Sequence, residues 1–251
     1  MKEDVSLFQY ELSIAVSIKN EAPYMVEWID YHRLAGVDHF YIYDNDSEDN
    51  LKEVLQPYIA SGVVDYIPFP GKVAQHAVFN DVLQKYRFAS RYIAFIDADE
   101  FIFPKTDDSI KAVLHDLLDK NPHFSSLVIS WNNFGSSGLE KAELDKPVLE
   151  RFLHREPDDA NSYFKSIVNP RCVYTIGHIH FAEYFSGQYA INEKGDIAFH
   201  QHSPHLLSRI VINHYFTKSR EEYLNEIFDD GIVRYRDKLR ESDTHTHTRG
   251  V

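Results

Sequence analysis

Between residues 12 and 97 the chain alternates two kinds of apolar pattern. "LSIAVSIKN" (12–20) is short, β-branched and apolar until its polar end, which predicts a buried strand. Ala22, Met25, Val26 and Ile29 then recur at helical spacing; Asn20 is placed to cap that helix, Pro23 is tolerated in its first turn, and Gly36 stops it. "HFYIYD" (39–44) predicts a second strand, "NLKEVLQPYIASG" a helix broken or bent near Pro57, and "VVDYIPF" (63–69) a third strand. Val78, Phe79, Val82, Leu83 and Tyr86 form the stripe of a third helix, and "YIAFID" (92–97) predicts a fourth strand. Such alternation implies an α/β fold with a Rossmann-like, mostly parallel sheet flanked by helices and right-handed crossovers. The later sequence is less regular. "SIKAVLHDLLDK" predicts a helix, "SSLVISW" (125–131) a strand, "SIVNPRCVYTIGHIHFAEY" two strands or a hairpin, and a last helix starts near Ser219. Without repeats or low-complexity linkers, the expectation is a single domain over 1–251, with a regular half (12–103), an irregular half (104–225) and a frayed polar tail (240–251).

In an open parallel sheet, ligands bind beyond the carboxyl ends of the strands. Polar residues gather at those ends here: Lys19-Asn20-Glu21, Asp44-Asn45-Asp46-Ser47 and Asp97-Ala98-Asp99-Glu100. Each cluster alone is also turn and cap chemistry; three on one rim carry more. Asp97 and Asp99 are two apart, so in an extended segment both carboxylates point the same way toward one cation. Oxygen ligands suit a hard ion, Mg²⁺ or Mn²⁺, that bridges carboxylates to substrate phosphates. The bland reading is a solvated turn, which Phe95, Ile96, Phe101, Ile102 and Phe103 on either side make less comfortable.

The chain of 251 residues carries a net charge of -13 and no basic patch, which argues against nucleic acid as partner. Its 17 Phe and 16 Tyr argue against disorder. One cysteine, Cys172, allows no internal disulfide and suggests a reducing compartment. Neither a signal peptide nor a membrane-spanning run is visible. His245 and His247 fit a disordered tail better than a metal site.

The segments "VSIKNEAPYMVEWIDYHRLAGVDHFYIYDNDSED", "FIDADEF", "WNNFG", "KSIVNP" and "NHYFTKSREEY" together resemble glycosyltransferase family 92 and the broader family-2-like group, over most of residues 12 to 225. The resemblance implies a GT-A fold with a nucleotide-binding half (12–103) and an acceptor-side, metal-completing half (104–225). It also implies a UDP-sugar donor, galactose in most relatives, a divalent cation and inversion at the anomeric carbon. By position it makes Asp97, Asp99 and His214 metal ligands and brings Lys218 to the diphosphate. Asn20, Glu21, Asp44, Asn45 and Ser47 would surround base and ribose, Ala98 would lie against the donor, and His76 and Asn80 would face the nucleotide from the third helix. For His214 the alternative is a packed core histidine, and for His76 and Asn80 ordinary helix surface. Glu150 is the expected base, with Glu183 and Glu140 as competitors and a salt bridge to Arg151 or Arg155 as its bland alternative. Trp131 and Phe134-Gly135 would form a sugar platform, unless Trp131 only fills core. The acceptor is expected to be a glycan or lipid-linked glycan in surface polysaccharide synthesis, in the cytoplasm and compatible with peripheral attachment to the inner membrane face.

Two other chemistries fit parts of the pattern. A haloacid-dehalogenase-like phosphotransferase also uses Asp-x-Asp after a strand, although usually after the first. A zinc hydrolase would draw on His178, His180, His200, His202 and His205, which offer no helical His-x-x-x-His. A non-catalytic nucleotide-sugar-binding module is the third alternative.

Overall fold

The structure, a computed structural model, describes residues 7–71, 75–157, 163–199 and 203–229. The expectations for the termini, His200 and His202 lie outside these. The elements run β1 (Tyr10–Ile18), α1 (Ala22–Leu34), β2 (His39–Asp44), α2 (Leu51–Ala60), β3 (Val64–Pro68), α3 (Gln75–Tyr86), β4 (Ser90–Phe95), β5 (Glu100–Pro104) and α4 (Ile110–Leu118). They continue with β6 (Phe124–Asn133), α5 (Val148–Arg151), β7 (Phe164–Val168), β8 (Val173–His178), β9 (Phe181–Tyr184), β10 (Tyr189–Ile191), β11 (Ile197–Ala198), β12 (Ile210–His214) and α6 (Arg220–Asp229). The chain divides into two compact units, one of 1–132 with 158–214, the other of 133–157 with 215–251.

The first unit holds the sheet. Its strand order is β11-β10-β6-β7-β4-β1-β2-β3, with β12 joined to β6 and β5 joined to β12. β3, β2, β1 and β4 are mutually parallel, so their carboxyl ends share one rim. β7 enters antiparallel between β4 and β6. β2 and β4 are buried at every position, as strands covered on both faces require. On one face Val78, Phe79, Val82 and Leu83 of α3 pack against Tyr41, Tyr43, Ile93, Phe95 and the β8–β9 hairpin.

Three sequence expectations change. α2 continues through Pro57, which sits on its exposed side. Asn20 does not cap α1; Glu21 holds the N-cap position without a side-chain cap bond, and the Ala22 amide donates to Asp49 Oδ2 at 2.9 Å. The third is the strand β5, which the acidic start of "EFIFP" conceals. β5 pairs with β12 on one edge only. Its other edge is held by α1: Trp28 Nε1 donates to Glu100 O (2.8 Å), Tyr31 Oη to Ile102 O (3.2 Å), and the Ile102 amide donates to His32 Nε2 (3.2 Å). His32 Nδ1 faces the Trp28 carbonyl at 2.8 Å, so the ring is neutral with its proton on Nδ1. Burial lowers its pKa to about 3.

The second unit is organised by charge and rings. Ser219 and Glu222 form a reciprocal capping box at the start of α6, each side chain accepting from the other's amide. Glu222 also receives buried Arg151 Nη1 at 2.9 Å to both oxygens. Phe134 stacks on Tyr215 with centroids 4.7 Å apart.

Candidate functional site

The rim at the ends of β1 and β2 is knitted by its own polar residues. Asn20 and Asp46 adopt left-handed backbone (φ 58 and 59), which Asn and Asp tolerate. The Asn20 amide donates to Ser47 Oγ (3.0 Å) and the Glu48 amide to Asn20 Oδ1 (2.8 Å). Asp44 accepts from the Ser47 amide (2.9 Å) and from the Tyr66 hydroxyl. Asn45 Nδ2 donates to the carbonyls of Phe69 and Gly71. Four of the five residues expected around base and ribose thus have side chains engaged in loop structure. Asn80 is committed to the hairpin, its amide bonded to both Ile176 N and Ile176 O, while His76 is exposed on α3.

Asp97-Ala98-Asp99-Glu100 is a turn, closed by Glu100 N–H to Asp97 O at 3.2 Å, and not the extended segment expected. The two-residue alternation therefore does not set the carboxylate directions. Asp97 Oδ1 receives Gln75 Nε2, and its Oδ2 lies 2.9 Å from Lys165 Nζ. Asp99 Oδ2 lies 3.4 Å from His214 Nε2. His214 reaches it because the β12–β5 register sets His214 opposite Glu100. The turn thus separates two pairs, Asp97 with Lys165 and Asp99 with His214.

Glu100 and Lys165 have fully buried side chains, 0% exposed, and stand 3.9 Å apart. Glu100 Oε2 accepts the Asp97 amide at 3.1 Å, tying the turn to itself. Burial pushes the Glu100 carboxyl up to about 8, Lys165 partly opposing. Burial disfavours the Lys165 ammonium, but Asp97 and Glu100 outweigh it and hold its pKa above the usual value. His214 behaves alike: burial works against its charge, and Asp99 raises its pKa nonetheless. The Trp131 ring joins the pairs, 4.2 Å from His214 between centroids and 5.9 Å from Lys165 Nζ, with Tyr163 and His180 on its other contacts at 5.6 and 4.9 Å.

Among the described residues no three His, Cys, Asp or Glu side chains are grouped to enclose a metal ion. Asp99 and His214 supply a hard oxygen and an imidazole nitrogen, a pair that fits Mn²⁺ or Mg²⁺ completed by diphosphate and water. His178 and His180 rings lie 5.2 Å apart, and His205 Nε2 bonds the Trp131 carbonyl. Lys218 and Glu150 belong to the second unit: Lys218 is buried with φ 47, and Glu150 is exposed on the short helix α5. Arg151, one of the two arginines in the alternative salt-bridge reading of Glu150, is bound to Glu222. Of the competitors, Glu140 pairs with Arg220 at 3.1 Å and Glu183 is exposed on β9.

Lys165 and Gln75 were not among the expected site residues. Lys165 carries the same signal that drew attention to Asp97: a charge in the apolar run "YFKSIV" demands a partner. Gln75 carries none, since a glutamine opening a helix is unremarkable.

The sequence pattern of glycosyltransferase family 92 matches residues 13–243. A rice protein (Oryza sativa subsp. japonica), Glycosyltransferase family 92 protein Os08g0121900, is 30% identical over 69% of this chain and 30% of its own length. Arabidopsis thaliana GALS2, a galactan beta-1,4-galactosyltransferase, is 28% identical over 77% of this chain and 40% of its own length. The chain thus spans well under half the length of these relatives. Among solved structures, S. aureus TarS 1-349 aligns with a TM-score of 0.46 at 11% identity, over 92% of this chain and 68% of that one, a likeness too distant to carry chemistry. The match over nearly the whole sequence shows that this chain belongs to glycosyltransferase family 92, and its fold is the mixed α/β, mostly parallel sheet flanked by helices that the sequence pattern predicts.

Proposed function

We propose that this chain transfers a hexose from a nucleotide-sugar donor to a glycan hydroxyl, with inversion and with the help of a divalent cation. The observation that carries the reading is the Asp99–His214 pair on the carboxyl rim of a parallel sheet, beside a buried lysine. The donor we assign is a UDP-sugar, with galactose favoured because three similar proteins are named galactan beta-1,4-galactosyltransferases. Asp99 and His214 are the residues that would hold Mn²⁺ or Mg²⁺. When bound, the cation would neutralise charge on the departing diphosphate. The knitted loops of Asn20, Asp44, Asn45 and Ser47 give the nucleoside a rigid wall, with Glu21, Ala98 and His76 as further donor-side contacts. Trp131 offers an aromatic face to the acceptor sugar, with Tyr163 extending it. The base role is assigned to Glu150 and a diphosphate contact to Lys218. We assign the product to surface polysaccharide or glycoconjugate synthesis. No helix among the described residues is long and apolar enough to cross a membrane.

A thermal-shift screen of UDP-, GDP- and TDP-sugars, with and without Mn²⁺, tests the reading, since a ligand of the folded state raises the midpoint. The expected result is a UDP-sugar response that Mn²⁺ enlarges, followed by transfer to oligosaccharides. Full turnover by Asp99→Ala, or in excess EDTA, overturns the metal role. Binding without transfer or hydrolysis across a broad acceptor panel points instead to a non-catalytic module.

A further inference from the structure

We propose that Lys165 is a positioning residue that withholds Asp97 from the cation, leaving a two-residue metal site, Asp99 with His214, that is completed only when a nucleoside diphosphate arrives. The inference rests on the function proposed above and adds to it an order of assembly.

Both Asp97 oxygens are already taken, Oδ1 by Gln75 and Oδ2 by Lys165. The Lys165 side chain is 0% exposed, while Asp97 keeps 29% and Asp99 19% of theirs. A lysine so placed depends on its counter-charge, because an unpaired ammonium in a low-dielectric interior is strongly unfavourable. Glu100 is the second carboxyl near it, but it stands 3.9 Å away against 2.9 Å for Asp97, and its other oxygen accepts the Asp97 amide. Asp97 is therefore the working counterion. A divalent ion that recruited Asp97 would strip the lysine of its partner and place two cations together where their repulsion is poorly screened. A cation taken by Asp99 and His214 leaves the Asp97–Lys165 pair intact.

Two protein ligands among the described residues are few for a hard ion, which keeps waters or takes substrate phosphate oxygens. Metal and nucleotide must then strengthen each other's binding by the same factor. A site completed by diphosphate also loosens when diphosphate leaves, which suits turnover.

The test measures Mn²⁺ binding to the full chain by electron paramagnetic resonance of the free ion, with and without UDP, without any turnover. For the wild type, UDP is expected to tighten Mn²⁺ by about tenfold or more, and Mn²⁺ to tighten UDP by the same factor. Lys165→Met releases Asp97, so Mn²⁺ affinity without UDP rises by about tenfold and the UDP effect shrinks, whereas Lys165→Arg keeps the wild-type pattern. The double variant Lys165→Met with Asp97→Asn removes both charges of the pair together; with UDP present, its Mn²⁺ affinity stays within about threefold of wild type, while Asp99→Asn loses about thirtyfold or more. The double variant decides the matter if the single one does not fold. A double variant that loses Mn²⁺ as Asp99→Asn does, or a folded Lys165→Met that binds UDP-free Mn²⁺ no tighter than wild type, overturns the inference alone. A wild type that binds neither Mn²⁺ nor UDP overturns the proposed function and this inference with it.

Discussion

Two acidic loops of this protein look alike in sequence and do different work. "DNDS" after β2 and "DADE" after β4 both follow buried strands on one rim. In the first, Asp44 receives a backbone amide and a tyrosine hydroxyl, and Asp46 receives the Gly71 amide at 2.7 Å. Those bonds fix loop shape. In the second, Asp97 meets a buried ammonium and Asp99 an imidazole. Ions held by ions inside a protein are sensitive to isosteric loss of charge, whereas acids held by amides mostly register lost hydrogen bonds. The partner, more than the carboxylate, separates the two loops: amides and a hydroxyl in the first, an ammonium and an imidazole in the second.

The contrast is sharpest at Asp99. Asp99→Asn is expected to lower transfer by two to three orders of magnitude, about the effect of deleting a key charge-stabilising group, with the thermal midpoint nearly unchanged. A midpoint collapse alongside the lost turnover would make the turn a scaffold too and erase the distinction.

The frame behind the second loop predicts a pH effect. His32 has a folded pKa of about 3 against 6.5 when free. Its neutral form is the folded one, so its contribution is fully present above pH 6.5 and is lost as pH falls toward 3. Urea unfolding is expected to show a loss of about 2 kcal/mol over the first 1.5 or so pH units of that descent. His32→Gln, less stable overall, is expected to flatten that slope; an unchanged slope would assign it to other groups.

The smallest effect belongs to the first loop. Asp49→Ala, which removes the acceptor for the first amide of α1, is expected to cost about 1 kcal/mol in urea unfolding. UDP affinity should change by less than about threefold, since the Asp49 carboxylate serves the amides of Ala22 and Leu51 at two helix starts. A large loss of UDP affinity would move this loop into the same class as the turn at Asp97.

Much of the frame was legible because periodicity reports burial. β2 ends where "HFYIYD" ends, and the α3 stripe packs as its spacing predicts. What stayed hidden was set by long-range partners. β5 opens with Glu100, whose charge reads as surface until Trp28, 72 positions earlier, is seen to donate to its carbonyl. The α1 cap comes from Asp49, 27 residues away, so a local capping rule chose Asn20 instead. At the site, the resemblance grouped Asp97, Asp99 and His214 on one cation; that Asp99 alone stands beside His214 was hidden, since strand register cannot be read from either residue's surroundings. Lys165 was visible as an anomaly but its partner was not.

One consequence of the α1–β5 arrangement concerns solubility. Residues 100 and 102 of β5 present three backbone groups on the edge away from β12, and Trp28, Tyr31 and His32 satisfy them all. The helix is a surrogate strand there, occupying an edge that another chain would otherwise extend. A lesion in "EWIDYH" is expected to free that edge for pairing with a second copy through β5, which light scattering of a Trp28 or Tyr31 variant would read.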